Sequence, residues 1–217
     1  VPGSTCMSLH SEAAFGALAD SGLKLSDIDG VLCAYALTEN YPMLSSAFCE
    51  YVGVAPNFNA GLHGGGATAA MMAMQAAALR VGAPLGHDFC AISLSDLLTP
   101  REVILKRVVA AASADFVIAF YNPVSKRRRD LLAIARDLLL RHRPEDTPVI
   151  LARNLGRADE RITAMPLTHL QVDDVDMLTL VMVGSSETRA RKRGDGTWSV
   201  YTPRGYAAKG TELIKEA

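Results

Sequence analysis

The sequence predicts an α/β fold in which helices alternate with the strands of a mostly parallel or mixed sheet. Apolar runs of strand length recur along the chain, and most are separated by segments with apolar residues at helical spacing. This alternation is typical of helices that cover both faces of a sheet, a three-layer αβα arrangement. The chain has 217 residues, 49% of them hydrophobic, enough for one large domain or two small ones.

The first 80 residues read as helix, strand, helix, strand, helix. An amphipathic helix is predicted over 11–18 and stops at Ser21-Gly22. A second helix is predicted over 43–52, with Pro42 near its first turn, where proline is well tolerated. A third helix starts at about Thr68, after the glycines at 64–66. The two short strands of this half are predicted at 28–35 and 57–62.

The remaining residues continue the alternation. Thr99 is predicted to cap a helix with Pro100 at its first position, and Ser125 is predicted to cap the next helix. Pro166 marks an edge strand, because proline cannot donate to a central ladder. The last apolar stretch is predicted to be an edge strand or tail. The predicted strands of this half are 90–96, 115–122, 147–154, 161–170, 177–186 and 198–206.

Charge is distributed unevenly along the chain. Residues 1–78 hold one basic and six acidic side chains, a net charge of −5, whereas residues 79–217 hold 21 basic and 17 acidic ones, a net charge of +4. The asymmetry indicates two segments of different role. We therefore predict a boundary between residues 1–78 and 79–217.

Composition excludes several classes of function. The overall net charge of −1 argues against a general binder of polyanions such as nucleic acid. No run of about 18 apolar residues predicts a membrane span, and the N-terminus lacks the features of a signal peptide. The four cysteines are scattered, without CxxC spacing or nearby histidines. They are interpreted as reduced thiols of a cytoplasmic protein, with no disulfide and no metal site.

Two stretches could contact an anion. Glycines 64–66 lie between a strand and a helix, where backbone N–H groups could approach a phosphate. They match neither the Walker nor the dinucleotide-binding spacing, so tight helix packing is the favoured interpretation. A row of cations runs from Lys126 to Arg129 at a predicted helix start, where the helix dipole disfavours positive charge. The row is either a solvated first turn or an anion site, and it lacks the interleaved aromatics of a nucleic-acid surface.

Residues 79–217 resemble a known family. They carry, in order, GAPLGHDFCAISLSDLLTPREVI, ADFVIAFYNPVSKRRRDLL, DTPVILARNLGR and VDMLTLVMVGSSETR. These stretches are similar to the second half of the precorrin-3B C17-methyltransferases, which belong to the tetrapyrrole methylases of cobalamin biosynthesis. The resemblance implies two α/β domains, with S-adenosylmethionine (SAM) and a tetrapyrrole in the cleft between them. It also implies methyl transfer to C17 of precorrin-3B with ring contraction, and a homodimer.

The same resemblance implies the site residues. Those expected to line the adenosine side of SAM follow two strands; they are Tyr121, Asn122, Pro123, Asn154 and Gly156. Arg127 and Arg128 are expected to bind the carboxylates of the tetrapyrrole, and Ser95 and Asp96, which end a predicted strand, are expected to face the same cleft. No catalytic residue is assigned, because methyl transfer from a sulfonium is mostly a matter of positioning. The chain departs from the family in having no Gly-Asp-Pro tripeptide, the loop that contacts the cofactor, and an inactive chain is therefore kept as an alternative.

Residues 4–80 resemble a different family. LHSEAAFGALADSGLKLSDIDGVL and NAGLHGGGATAAMMAMQAAALRVG are similar to the start and the nucleophile loop of thiolase-like proteins of the lipid-transfer type. Gly66 stands where active members have cysteine, which excludes covalent acyl transfer from that position. Three hypotheses follow for the chain: a methyltransferase, an acyl-CoA or lipid-binding module, and a folded chimera without activity.

Overall fold

The computed structural model describes residues 3–36, 39, 41–63, 68–125 and 128–203. The chain divides into two compact units. The N-terminal unit contains residues 1–76 together with 156–159, and the C-terminal unit contains residues 77–155 and 160–217. The glycines at 64–66, with Lys126 and Arg127 of the basic row, lie outside the described residues.

The first helix, α1 (Cys6–Ser21), begins five residues before the predicted start. Thr5 caps it: the Thr5 hydroxyl accepts from the Ser8 N–H at 3.1 Å, and the Ser8 hydroxyl oxygen accepts from the Thr5 N–H at 2.9 Å. This reciprocal pair satisfies two backbone donors at the helix end. Gly22 ends the helix in the left-handed region, as predicted.

The N-terminal unit is built on a short parallel sheet. Strand β1 (Gly30–Ala34) pairs in parallel with β2 (Phe58–Leu62), and α2 (Leu44–Val52) lies between them in the sequence. Helix α3 spans Thr68–Val81, close to its predicted start. The core of this unit includes Cys33, and burial raises the pKa of that thiol to about 11. Cys33 is therefore a packing residue with little thiolate at neutral pH.

The C-terminal unit contains a five-stranded mixed sheet. Its strands are β4 (Phe89–Ser93), β5 (Val117–Tyr121), β6 (Pro148–Arg153), β7 (Arg161–Pro166) and β8 (Thr179–Val183), in the spatial order β4-β5-β8-β6-β7. Only β4 and β5 pair in parallel; the other three pairs are antiparallel. The mixed α/β fold is confirmed, as is the edge position of the strand with Pro166, and the three-layer stacking stays a prediction.

Helices α4 (Arg101–Ser113) and α5 (Asp130–Leu139) pack in one core with the sheet. On α5 the apolar residues recur at helical spacing, and Leu131, Leu132, Ala135 and Leu139 are all buried. Phe120 and Val181, on neighbouring strands, are fully buried in the same core. Both helices start beside the sheet edge at which β4 and β5 end, and this places their first residues near the candidate site.

Two predicted helix caps are wrong. Helix α4 follows Pro100, which occupies the cap position without a side-chain hydrogen bond, so Thr99 does not cap it. Helix α5 starts at Asp130 after Arg129, and Ser125 does not cap it either. The Ser125 hydroxyl instead accepts from the Arg128 N–H at 3.1 Å, because serine side chains readily close local turns. Arg128 and Arg129 therefore precede the helix and do not lie in its first turn.

A second, three-stranded sheet corrects the prediction for the last strand. It contains β3 (Gly82–Ala83), β9 (Arg189–Lys192) and β10 (Trp198–Tyr201), with β10 in the middle. The predicted edge strand is thus a central one, because β3 is too short to be recognised as its partner. Gly82 has φ 133°, and a Cβ there would lie 2.7 Å from the Val200 carbonyl oxygen, so this pairing requires glycine.

A buried arginine connects the ends of β5 and β8. The guanidinium of Arg143 donates to the carbonyl oxygens of Phe116 and Gly184 and lies 3.4 Å from the Asp115 carboxylate. Asp115 in turn accepts from the N–H and hydroxyl of Ser186, at 2.9 and 2.6 Å. Burial lowers the pKa of Arg143. The charge is kept because its hydrogen bonds offset part of the desolvation cost.

We predict that Arg143→Ala lowers the free energy of unfolding by about 3–5 kcal/mol, because it leaves the Phe116 and Gly184 carbonyl groups without their donor and removes the ion pair with Asp115. Arg141→Ala, at an exposed position two residues earlier, is the control, with an expected loss below about 0.5 kcal/mol. Urea unfolding followed by circular dichroism measures both. Equal losses in the two variants would show that the Arg143 network does not stabilise the fold.

Candidate functional site

The candidate site lies where strands β4 and β5 end. The two strands run in parallel, with Ser93 opposite Tyr121, so their carboxyl ends share one edge of the sheet. Strand β8 runs the other way, which brings the residues just before it to the same edge. A cavity of about 950 Å³ opens there. Its walls include four residues predicted from the sequence: Ser95, Asp96, Asn122 and Arg128.

Hydrogen bonds connect the loops that follow the two strands. The Ser93 hydroxyl accepts from the Ser95 N–H at 3.2 Å and from the Asn122 side-chain amide at 3.5 Å. Asn122 has φ 50°, a left-handed conformation that asparagine tolerates better than most residues. The chain therefore turns sharply after β5, and Asn122 is presented to the cavity.

Arg128 is held across the cavity wall by both loops. Its guanidinium donates to the Asp96 carboxylate at 3.2 Å and to the Asn122 carbonyl oxygen at 2.9 Å. The side chain is only 11% exposed. Hydrogen bonds from a charged, mostly buried donor are among the stronger ones in proteins. Arg128 thus fixes the loop after β5 to the loop after β4.

Two further arginines line the cavity, and each is paired with an aspartate near the protein surface. Arg101 hydrogen-bonds Asp130, and their side chains are 38% and 60% exposed. The Arg101 guanidinium lowers the pKa of Asp130. Arg129 lies 2.6 Å from the Asp173 carboxylate, and these side chains are 50% and 94% exposed. The site thus combines one ion pair whose arginine is mostly buried with two ion pairs in which both partners are exposed.

Apolar side chains accompany the arginines. Leu97 lines the cavity and is 84% exposed, and Met177, just before β8, lines it from another element. Leu98 and Leu178, the neighbours of these residues in the sequence, are also exposed. Large apolar side chains grouped in this way indicate a surface that is covered when a ligand or partner binds.

The other predicted site residues lie outside this cavity lining. Tyr121 ends β5 half-buried, and Pro123 is buried. Asn154 follows β6, has φ 51° and is buried, with its N–H donating to the Leu178 carbonyl at 3.1 Å. Gly156 belongs to the N-terminal unit. Arg127 lies outside the described residues.

Sequence reasoning missed Arg101, Arg129, Asp130 and Met177 as cavity residues. Arg129 was visible as part of the basic row. Arg101 could have been suspected because it is a cation directly after Pro100, at a helix start where positive charge is disfavoured. Nothing in the sequence identifies Met177.

Over the described part of the chain, no group of histidine, cysteine, aspartate and glutamate residues is arranged to hold a metal ion. Within the same residues, none of the helices is long and apolar enough to span a bilayer.

Comparison with known proteins identifies relatives of much of the chain. Residues 67–171 match the family model of the tetrapyrrole (corrin/porphyrin) methylases. The chain is 54% identical over 140 residues to a precorrin-3B C(17)-methyltransferase of Sinorhizobium sp, covering 64% of this chain and 55% of that protein. It is 50% identical over 136 residues to a probable cobalt-factor III C(17)-methyltransferase of Salmonella typhimurium, covering 63% and 54%. The chain thus spans about half the length of these curated relatives.

Among solved structures, the crystal structure of the methyltransferase CobJ is similar to this fold. The TM-score is 0.56 at 28% sequence identity, and the match covers 88% of this chain and 92% of that one. These comparisons support the predicted resemblance to tetrapyrrole methylases. They give no support to a thiolase-like segment or to a chimera.

We predict that Arg128→Ala lowers the free energy of unfolding by about 2 kcal/mol, because Asp96 and the Asn122 carbonyl lose their hydrogen bonds to a mostly buried, charged donor. Arg129→Ala is the neighbouring control and should cost less than about 1 kcal/mol, since its ion pair with Asp173 is exposed. Chemical denaturation of both variants makes the comparison. A larger loss in Arg129→Ala would contradict the fixed role of Arg128.

Proposed function

We propose that this chain, whose residues 67–171 match the tetrapyrrole methylases, is a SAM-dependent methyltransferase of cobalamin biosynthesis that acts in the cytoplasm. The proposed reaction is methylation of precorrin-3B at C17 with ring contraction. The observation that carries the proposal is the cavity at the ends of β4 and β5, which combines arginines with exposed apolar side chains. The family's homodimer is part of the proposal.

The cavity suits the chemistry of a tetrapyrrole. Precorrin-type molecules have an apolar macrocycle with carboxylates around its periphery. Leu97 and Met177 offer apolar contact, and the arginines offer paired hydrogen bonds to carboxylates. Stacking aromatics among the cations are typical of a surface that binds single-stranded nucleic acid, and the described residues that line this cavity include no aromatic one.

The residues at the sheet edge also fit the adenosine end of SAM. Asn122 and Asn154 follow β5 and β6, which share a direction because both are antiparallel to β8. Both asparagines are in the left-handed region, so each strand ends in a sharp turn that carries an amide. Ligands of α/β proteins commonly bind at such strand ends.

In the proposed reaction, SAM supplies the methyl group as a sulfonium. Tyr121, Asn122, Pro123, Asn154 and Gly156 are proposed to bind the adenosine side, and Ser95, Asp96, Arg127 and Arg128 to face the tetrapyrrole. The task of these residues is positioning, since the reaction needs no nucleophile from the protein. The chain has no Gly-Asp-Pro tripeptide, so any contacts that this loop makes in the family are not supplied by these 217 residues.

A second candidate function is an acyl-CoA or lipid-binding module. One observation favours it: an apolar cavity of about 550 Å³ in the N-terminal unit, lined by residues of α1 and β1 such as Leu18 and Val31. Titration with an acyl-CoA ester tests this candidate. Binding of the ester without binding of SAM would favour it, and binding of neither ligand would favour a folded chimera without activity.

Isothermal titration with S-adenosylhomocysteine tests the first candidate, and we predict binding by the purified chain. Asn122→Gly should weaken it at least about fivefold, because the variant loses the amide but keeps a residue that tolerates positive φ. Gln171→Ala removes an exposed amide elsewhere and should bind like the parent chain. Absence of binding by the folded parent chain would refute a working SAM site, and methyl transfer to precorrin-3B tests the full proposal.

A further inference from the structure

We infer that Arg101 and Arg129 bind ligand carboxylates in the cavity, and that each exchanges its own aspartate for a ligand carboxylate while Arg128 keeps Asp96. The substrate class in this inference, a polycarboxylate tetrapyrrole, rests on the proposed function. The assignment of roles among the three arginines rests on their different burial and hydrogen bonding. It also gives Asp130 a role, as the group that occupies Arg101 when no ligand is bound.

Arg101 and Asp130 form the exchangeable pair at the helix starts. Arg101 is the first residue of α4, and Asp130 is the first residue of α5. Both line the cavity and both are well exposed, so water already competes for their hydrogen bond. Ion pairs of this exposure contribute little to stability. A ligand carboxylate can therefore replace Asp130 on Arg101 at small cost.

Arg129 has a similar environment. Its partner Asp173 is almost fully exposed, and its second acceptor, the Val172 carbonyl, lies at a long 3.4 Å. Asp173 is not part of the cavity lining, whereas Arg129 is. Rotation of the Arg129 side chain away from Asp173 would leave that carboxylate in water, where it remains solvated. Exchange at this position again costs little.

Arg128 differs from both. Its guanidinium is mostly buried and holds Asp96 and the Asn122 carbonyl together, so its release would separate two loops of the site. Removing this donor is costly because its charged hydrogen bonds are made by a guanidinium that is mostly buried. Arg128 therefore serves as a positioning residue. The two exposed ion pairs, Arg101–Asp130 and Arg129–Asp173, remain available for exchange with the ligand.

This arrangement selects for ligands with several carboxylates. Among the described residues, each of the three arginines that line the cavity is paired with an aspartate, so a single carboxylate gains little by displacing one. A ligand that displaces two aspartates at once gains the second contact within the bound complex, where the effective concentration is high. Uroporphyrin, a stable tetrapyrrole polycarboxylate, should accordingly bind far better than acetate.

The test is a double-mutant cycle on Arg101 and Asp130, with binding of uroporphyrin followed by its fluorescence. Asp130→Asn frees Arg101 and should tighten binding about threefold to fivefold, in line with the small contribution of an exposed pair. Arg101→Gln should weaken binding. In the Arg101→Gln background, Asp130→Asn should give little further gain, because there is no arginine left to release. Asp137→Asn is the control, since it removes an equal charge from the same helix and Asp137 pairs with Arg136.

Two results would overturn the inference. One is an equal gain from Asp130→Asn with and without Arg101, which would mean that Asp130 only repels the ligand. The other is an equal gain in uroporphyrin affinity from Asp137→Asn, which would mean that the effect of Asp130→Asn comes only from the change in net charge. S-adenosylhomocysteine titration of the same proteins separates this inference from the proposed function. If Arg101 and Asp130 are coupled in uroporphyrin binding but the chain does not bind S-adenosylhomocysteine, the aspartate exchange is supported and the methyltransferase function is rejected. If the chain binds S-adenosylhomocysteine but the two residues are not coupled, the methyltransferase function is supported and the exchange is rejected.

Discussion

The insertion of β8 between β5 and β6, antiparallel to both, is the constraint on which the C-terminal unit depends. Val181 pairs with Phe120 on one side and with Leu151 on the other, and all three are buried. Because β8 runs against its neighbours, the residues before it reach the edge where β4 and β5 end. Met177 lines the cavity for this reason, and there it adds a second exposed apolar side chain to that of Leu97, which follows β4.

The ion pairs at this edge differ in what they do because they differ in exposure. The Arg128 guanidinium lies mostly away from water and joins two loops through Asp96 and the Asn122 carbonyl, so these contacts shape the site. Arg101 with Asp130, and Arg129 with Asp173, lie in water, where an ion pair is weak and screened by salt. One arginine builds the cavity wall, and the other two remain available to a ligand. The same residue type thus has two roles within a few positions of the chain.

Much of the fold could be predicted because apolar periodicity and proline carry strong local signals. The apolar face of α5 and the edge position of the strand with Pro166 followed directly from the sequence. The direction of β8 could not, since a buried apolar strand looks the same in parallel and antiparallel pairing. The prediction that Ser125 caps α5 was wrong because the Ser125 hydroxyl accepts from the Arg128 N–H, in a turn that precedes the helix. In the site, the predicted residues Ser95, Asp96, Asn122 and Arg128 line one cavity. Arg101 could not be predicted to join them, because the sequence does not show which helix starts lie beside the same cavity.

The positive charge of residues 79–217 does not by itself make an anion site. Among the described residues, the arginines that line the cavity, Arg101, Arg128 and Arg129, are paired with Asp130, Asp96 and Asp173, so these three carry little unbalanced charge. Affinity must instead come from close contacts: apolar surface against Leu97 and Met177, and carboxylates that replace aspartates one for one. A rigid apolar ring with carboxylates at its rim provides both kinds of contact at once. A flexible polyanion provides only the exchange, and it must also lose conformational entropy to bind.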